Sequence, residues 1–292
     1  MITLLLFACT GAGSGPDAAP DAQPAAPPTL QFSAIPDQNT SLLQQKFDPV
    51  AAHLSEALGV PVEYVPAADY TASVEMFRNG DIQLAWFGGL TGVQARQAVP
   101  GARAIAQGAE DPEYRSYFIA HAGTGLEPTE GFPEAIADYT FSFGSESSTS
   151  GRLMPEHFLR ESTGESPEDF FTAGYSFSGA HDKTAKLVES GQVQVGALNY
   201  KTWDAMVADG RVDPAKARVI WTTPTYADYN FTAHPDLEVR YGAGFTDRLQ
   251  AALVAIDDPA LLDAFQRSGL IPASDGDYAQ ILAVARALDM VR

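Results

Sequence analysis

The chain has one cysteine, Cys9, among its 292 residues, so no intrachain disulfide is possible. Basic residues are scarce: 18 Lys and Arg stand against 37 Asp and Glu, a formal charge of −19. That balance excludes nucleic acid as a partner, because backbone phosphates are held by clustered Lys and Arg. It also means that an anionic ligand must be attracted by local dipoles and donors, against the overall field. No apolar run beyond the N-terminus is long enough to span a bilayer, so the body is expected to be soluble. The histidines His53, His121, His157, His181 and His234 lack metal-ligand spacing, and neither a metal nor any other cofactor is expected. There is no G-x-S-x-G elbow around Ser148, since Glu146 and Ser150 stand where the glycines belong. A hydrolase triad built from Ser148, His181 and Asp182 or Asp228 is therefore the weaker reading, and no catalytic residue is assigned.

What the chain does have begins at its start. Residues 1–9 form an apolar segment ending Leu6-Phe7-Ala8-Cys9, which looks like the close of a bacterial lipoprotein signal with Cys9 as the lipidated residue. Residues 10–28 are mostly Gly, Ala, Pro, Asp and Ser, with almost nothing to bury, and read as a flexible tether. From Leu30 strands and helices alternate. Leu30–Ile35, Val60–Val65 and Ile82–Phe87 read as strands, with helices through Phe47, Val50 and Leu54 and through Val74 and Phe77. A second such unit begins near Thr124, with strands at Thr140–Phe143 and Val193–Leu198 and a helix over Ala185–Val188. The apolar spacing of Leu249, Leu253 and Ile256, of Leu261–Phe265 and of Ile281–Leu288 gives closing helices. Such alternation implies an α/β fold with parallel sheets covered by helices.

The densest chemistry is Gly144-Ser145-Glu146-Ser147-Ser148-Thr149-Ser150-Gly151. The strand-like Tyr139–Phe143 precedes it, and Leu153, His157 and Phe158 follow at helical spacing, with Pro155 tolerable in the first turn. The hydroxyls thus sit where a helix leaves N–H groups unpaired, a place suited to an oxyanion. The simpler alternative is that Ser148 or Thr149 only caps the helix.

The stretch from Ser145 to Pro155 resembles the signature of the PhnD-like substrate-binding proteins of phosphate, phosphite and phosphonate ABC importers. The likeness extends through Ala85-Trp86-Phe87-Gly88, Ser178-Gly179-Ala180-His181-Asp182, Val219–Pro224 and Ser274-Asp275-Gly276-Asp277-Tyr278, in that order. Some relatives with this pattern carry a selenate label. The resemblance implies a two-lobed type II periplasmic binding protein fold with a hinge between the lobes. Lobe 1 would comprise residues 29–122 and 224–292 and lobe 2 residues 123–223, with crossings near Phe118–Gly123 and Trp221–Thr225. It further implies a monomeric receptor outside the cytoplasm that passes a small oxyanion to an ABC permease and meets the membrane through its lipid anchor. A sensor subunit for a membrane kinase is the alternative on the same fold.

In that fold ligands bind where strands end, between the lobes. Asn39 and the pair Gly88-Gly89 are the first-lobe candidates, the glycines permitting close backbone approach. Relatives often have proline where Gly89 stands and tyrosine where Gly92 stands, and the loss of that aromatic wall suggests a small ligand or a differently shaped pocket. In the second lobe the candidates are Ser148, Thr149, Ser150 and His181, the last at the family's ligand-binding histidine, where an anion would favour its charged form. Asp228 falls where relatives place a carboxylate facing the oxyanion. As an acceptor it favours a ligand that still carries a proton over a dianion such as selenate. Tyr200 and Tyr226 are the candidate aromatic walls or, equally, interlobe packing, and Arg152 could reach the anion or point to solvent.

Overall fold

The computed structural model describes residue 3 and residues 27–291, so Cys9, the signal-like segment and nearly all of the expected tether lie outside the described residues. The first sheet is built from β1 (Leu30–Ala34), β2 (Val62–Tyr64), β3 (Leu84–Phe87), β4 (Arg103–Gly108), β10 (Asn230–Ala233) and β11 (Leu270–Pro272). Their spatial order is β11-β4-β10-β3-β1-β2. The second comprises β5 (Ser116–His121), β6 (Phe141–Phe143), β7 (Tyr175–Phe177), β8 (Val195–Asn199) and β9 (Ala217–Thr222), in the order β7-β6-β8-β5-β9. Helices α1 (Thr40–Leu58), α2 (Tyr70–Arg78) and α3 (Gly89–Ala98) follow β1, β2 and β3. Helices α4 (Met154–Thr163), α5 (Pro167–Phe170), α6 (His181–Glu189) and α7 (Tyr200–Ala208) belong to the second unit, and α8–α11 return to the first: Asp236–Tyr241, Phe245–Val254, Pro259–Leu262 and Ala279–Ala287. This is the expected two-lobed α/β architecture.

Two expectations need correction. The sheets are mixed: β10 lies antiparallel between β3 and β4, and β5 antiparallel between β8 and β9. Both strands arrive directly from the other lobe, without the crossover helix that keeps β1, β2 and β3 parallel. The first crossing also comes earlier than Phe118–Gly123. It runs through residues 109–115, because Ser116–His121 is spent as the strand between β8 and β9. The return runs through residues 223–229 and pairs with the outward crossing at a two-residue bridge, Tyr114 N–H to Tyr226 O (2.9 Å) and Tyr226 N–H to Tyr114 O (3.0 Å).

Buried aromatics make most of each core. Phe32, Phe47 and Tyr64 cluster in the first lobe, and Phe118, Phe141, Phe171 and Trp221 in the second. Under the crossings Arg267 grips Asp111 with two hydrogen bonds (3.0 and 2.7 Å), both side chains buried. The Asp111 carbonyl in turn accepts from the Asp228 N–H (3.1 Å), so one crossing fixes the other where the site begins.

Candidate functional site

The hydroxyl run opens as a π-helical turn, Thr149–Leu153, before α4 takes over. Its carbonyls bond five residues on, Ser148 O to Leu153 N–H (2.9 Å) and Thr149 O to Met154 N–H. The first N–H groups of such a turn have no intrahelical partner, and π turns recur at functional sites. Ser148 caps the turn by accepting from Gly151 N–H at 2.9 Å, as the simpler reading had it. Thr149 and Ser150 do something else. The Thr149 Oγ1 accepts from Leu90 N–H of α3, in the other lobe, at 2.9 Å. The Ser150 carbonyl accepts from Ser116 Oγ (2.6 Å), which also meets Tyr226 Oη at 2.5 Å.

Glycines let these backbones meet. A Cβ on Gly88 would come within 3.1 Å of Thr149 Oγ1 and 3.3 Å of Asp228 Oδ1. One on Gly151 would strike Ser148 Oγ, Gly144 Cα and His181 Cε1 at 2.9–3.1 Å. At Gly92 the space for a side chain is filled by the amide of Asn230 and by Arg96, 2.7–2.9 Å from where a Cβ would stand, so no aromatic wall fits there.

Three buried polar atoms around this turn have no hydrogen-bond partner among the described residues: Tyr70 Oη, His181 Nε2 and Asp228 Oδ2. Left dry, each would cost on the order of 1–3 kcal/mol, and the gathering of three around one turn makes it the candidate binding site. Asp228 is 1 % exposed, and burial pushes its carboxyl up to about 7, held back by Gly89 N–H and the hydroxyls of Thr149 and Ser150. Its Oδ1 accepts from Gly89 N–H at 2.9 Å; the Thr149 and Ser150 hydroxyls lie near the carboxyl, but none meets Oδ2 with hydrogen-bond geometry. His181 opens α6, and its Nδ1 accepts from Asn199 N–H at 3.3 Å. That bond assigns the ring proton to Nε2, and burial lowers the ring to about 3. The expected imidazolium is thus replaced by a neutral Nε2–H donor. Tyr70, the first residue of α2, is fully buried and its hydroxyl lies beside Ser148; burial keeps it well above its usual range, and so a donor.

The other candidates are engaged in contacts of their own. Asn39 is exposed and caps α1 through its side chain (Leu42 N–H, 3.2 Å), while its own N–H reaches Asp182 Oδ2 across the lobes (3.1 Å). Tyr200 packs edge-on to Tyr114 of the crossing and Tyr117 of β5, with Arg115 over its ring. Tyr226 is buried, its hydroxyl on Ser116 and next to the Ser150 side chain. Arg152 lies over Phe143 and Phe177 and pairs with Glu156 (2.5 Å). A hydrolase triad is not assembled: His181 Nδ1 faces a backbone N–H, and the Asp182 carboxylate faces Asn39 and Lys183 N–H groups. Sequence reasoning passed over Tyr70; a hydroxyl-bearing aromatic just after the end of β2, behind the N-cap Asp69, was the available signal.

The model of the ABC transporter, phosphonate, periplasmic substrate-binding protein family matches residues 32–278. A protein of Prochlorococcus marinus (strain MIT 9301), described as a probable ABC transporter phosphite binding protein, PhnD1, is 38% identical over 273 residues, 91% of this chain and 92% of that one. The phosphate-import protein PhnD of Mycolicibacterium smegmatis is 26% identical over 95% of this chain and 90% of its own length. The solved structure of the Prochlorococcus PhnD1 with methylphosphonate superposes with a TM-score of 0.85 at 37% identity, over 90% of this chain and 99% of that one.

Proposed function

This chain belongs to the family of periplasmic substrate-binding proteins of ABC phosphonate transporters, and we propose that it captures a small phosphorus oxyanion that carries one proton, phosphite or methylphosphonate. It is a binding protein and not an enzyme, as its relatives are. The observation that carries the ligand class is the pairing of unpartnered donors with one unpartnered acceptor around the same turn: Tyr70 Oη–H beside Ser148, His181 Nε2–H beside Gly151 and Asp228 Oδ2 beside Thr149 and Ser150, whose own N–H groups open the helix. The neutral donors and the helix end compensate the negative oxygens without any net positive side chain. The carboxyl takes the remaining O–H, and a fully deprotonated dianion leaves two negative oxygens face to face.

Ligand contacts from both lobes favour the closed arrangement. Delivery to the permease from a lipid-anchored monomer is part of the same proposal, with Cys9 as the anchored residue. Its support is the lipobox-like run that ends there.

Titration calorimetry of the protein against phosphite, methylphosphonate, phosphate, selenite and selenate tests the ligand class. Phosphite or methylphosphonate should bind at least about a hundredfold more tightly than selenate, the scale of one buried like-charge contact. Selenate bound as tightly as phosphite would remove Asp228 from its assigned role.

A further inference from the structure

Beside the proposed anion site runs a closed circuit of hydrogen bonds that passes from one lobe to the other. Tyr229 Oη donates to Asp37 Oδ2 at 2.7 Å. Asn199 Nδ2 donates to Tyr229 Oη at 3.0 Å, and Asn199 N–H to His181 Nδ1 at 3.3 Å. The His181 N–H returns to the Asp37 carbonyl at 2.9 Å. Asp37 follows β1 in the first lobe, Tyr229 ends the return crossing, and Asn199 and His181 belong to the second lobe.

Each link is constrained from outside the circuit. Asn199 Oδ1 caps α7 by accepting from Thr202 N–H (2.6 Å), so its amide must turn Nδ2 toward Tyr229. The Tyr229 ring is stacked on Trp86 (5.5 Å between centroids) with the Arg267 guanidinium over it, which aims its hydroxyl. At the start of α6 the N-cap residue, Ala180, has no side chain to cap the helix, and the carbonyl of Asp37 takes the His181 N–H instead. The second lobe's helix is thus capped by the first lobe, and only while the lobes are together.

We propose that Asp37, Tyr229 and Asn199 are positioning residues: they latch the closed lobes and hold His181 as an Nε2–H donor. None of the three is placed against the anion. The proposal rests on the role given to His181 above, and it adds that closure and the aim of the imidazole are one event. When the lobes part, Asp37 and Tyr229 regain water, so breaking the circuit costs the closed state and spares the open one.

Tyr229→Phe removes one oxygen and keeps the ring on Trp86. Stopped-flow binding of methylphosphonate and phosphite should show dissociation roughly tenfold faster, the scale of buried partners left unpaired, with association within about twofold of wild type. Hydrogen exchange in the ligand-free protein should show the His181 amide less protected, and the melting temperature little changed. Unchanged dissociation with unchanged exchange would overturn the latch. So would a lowered melting temperature with normal dissociation, which marks a merely structural hydroxyl. If wild type binds neither oxyanion, the functional reading fails by itself and the His181 amide decides the latch: faster exchange in Tyr229→Phe supports it, and equal exchange rejects it.

Discussion

At the scale of single residues, the hydroxyls of Ser148 and Thr149 look alike in the sequence but perform different work. Ser148 is a cap within its own turn, so Ser148→Ala should lower stability by about 1 kcal/mol. Thr149 joins the lobes through Leu90 N–H and faces Asp228, so Thr149→Val should weaken oxyanion binding by about one to two orders of magnitude, with a smaller effect on the melting of the ligand-free protein. Melting curves and binding isotherms on the two variants check this. Equal loss of stability with normal binding in both would reduce the run to capping. In the sequence, Ser148–Ser150 stood out as a hydroxyl run at a strand end, whereas His181 and Asp228 were placed by the family resemblance, Asp228 lying in the return crossing between β9 and β10. The charge state of His181 was not legible there, since it depends on a backbone N–H eighteen residues away. Nor was the burial of Tyr70 Oη beside Ser148, which the other lobe supplies.

At the scale of elements, strand β6, the turn and α4 followed from apolar spacing alone. The π character of the turn did not, because hydrophobic period distinguishes poorly between bonds to the fourth and the fifth residue. A backbone contact accompanies it, Gly144 N–H to Gly151 O at 2.8 Å, with His181 packed against the same glycine. Gly151→Ala should therefore press on Ser148, Gly144 and His181 together. The expected result is a loss of about 1–3 kcal/mol in stability and at least tenfold in oxyanion affinity, read by chemical denaturation and calorimetry. An alanine accepted at no cost to binding would show that the turn's exact width is immaterial. The antiparallel strands β5 and β10 escaped the sequence for a related reason: a strand's direction is not written in its own residues when it arrives from another lobe.

At the scale of the whole molecule, the chain carries a formal charge of −19, and the proposed site offers an anion neutral donors and one shared proton. The folded state raises the Asp228 carboxyl from the ordinary 3.8 to about 7 and Asp37 to about 6, chiefly by withdrawing them from water. Below about pH 4 both carboxyls are protonated folded or unfolded, and they cost nothing. As pH rises toward 6 and 7 the unfolded chain releases these protons first, so stability declines until the folded groups ionise as well. Lowering of His181 from 6.5 to about 3 acts oppositely, weakening the fold as pH falls below 6.5. An oxyanion that brings a proton to Asp228 Oδ2 relieves the larger of the carboxyl penalties. The direct measurement is the proton balance of binding, obtained by titrating methylphosphonate and phosphite at about pH 9 in buffers of different ionisation enthalpy. Wild type should take up about one proton per anion bound, with affinity falling about tenfold per pH unit, and Asp228→Asn should lose most of that uptake. Tight binding by wild type with no proton taken up would contradict the account.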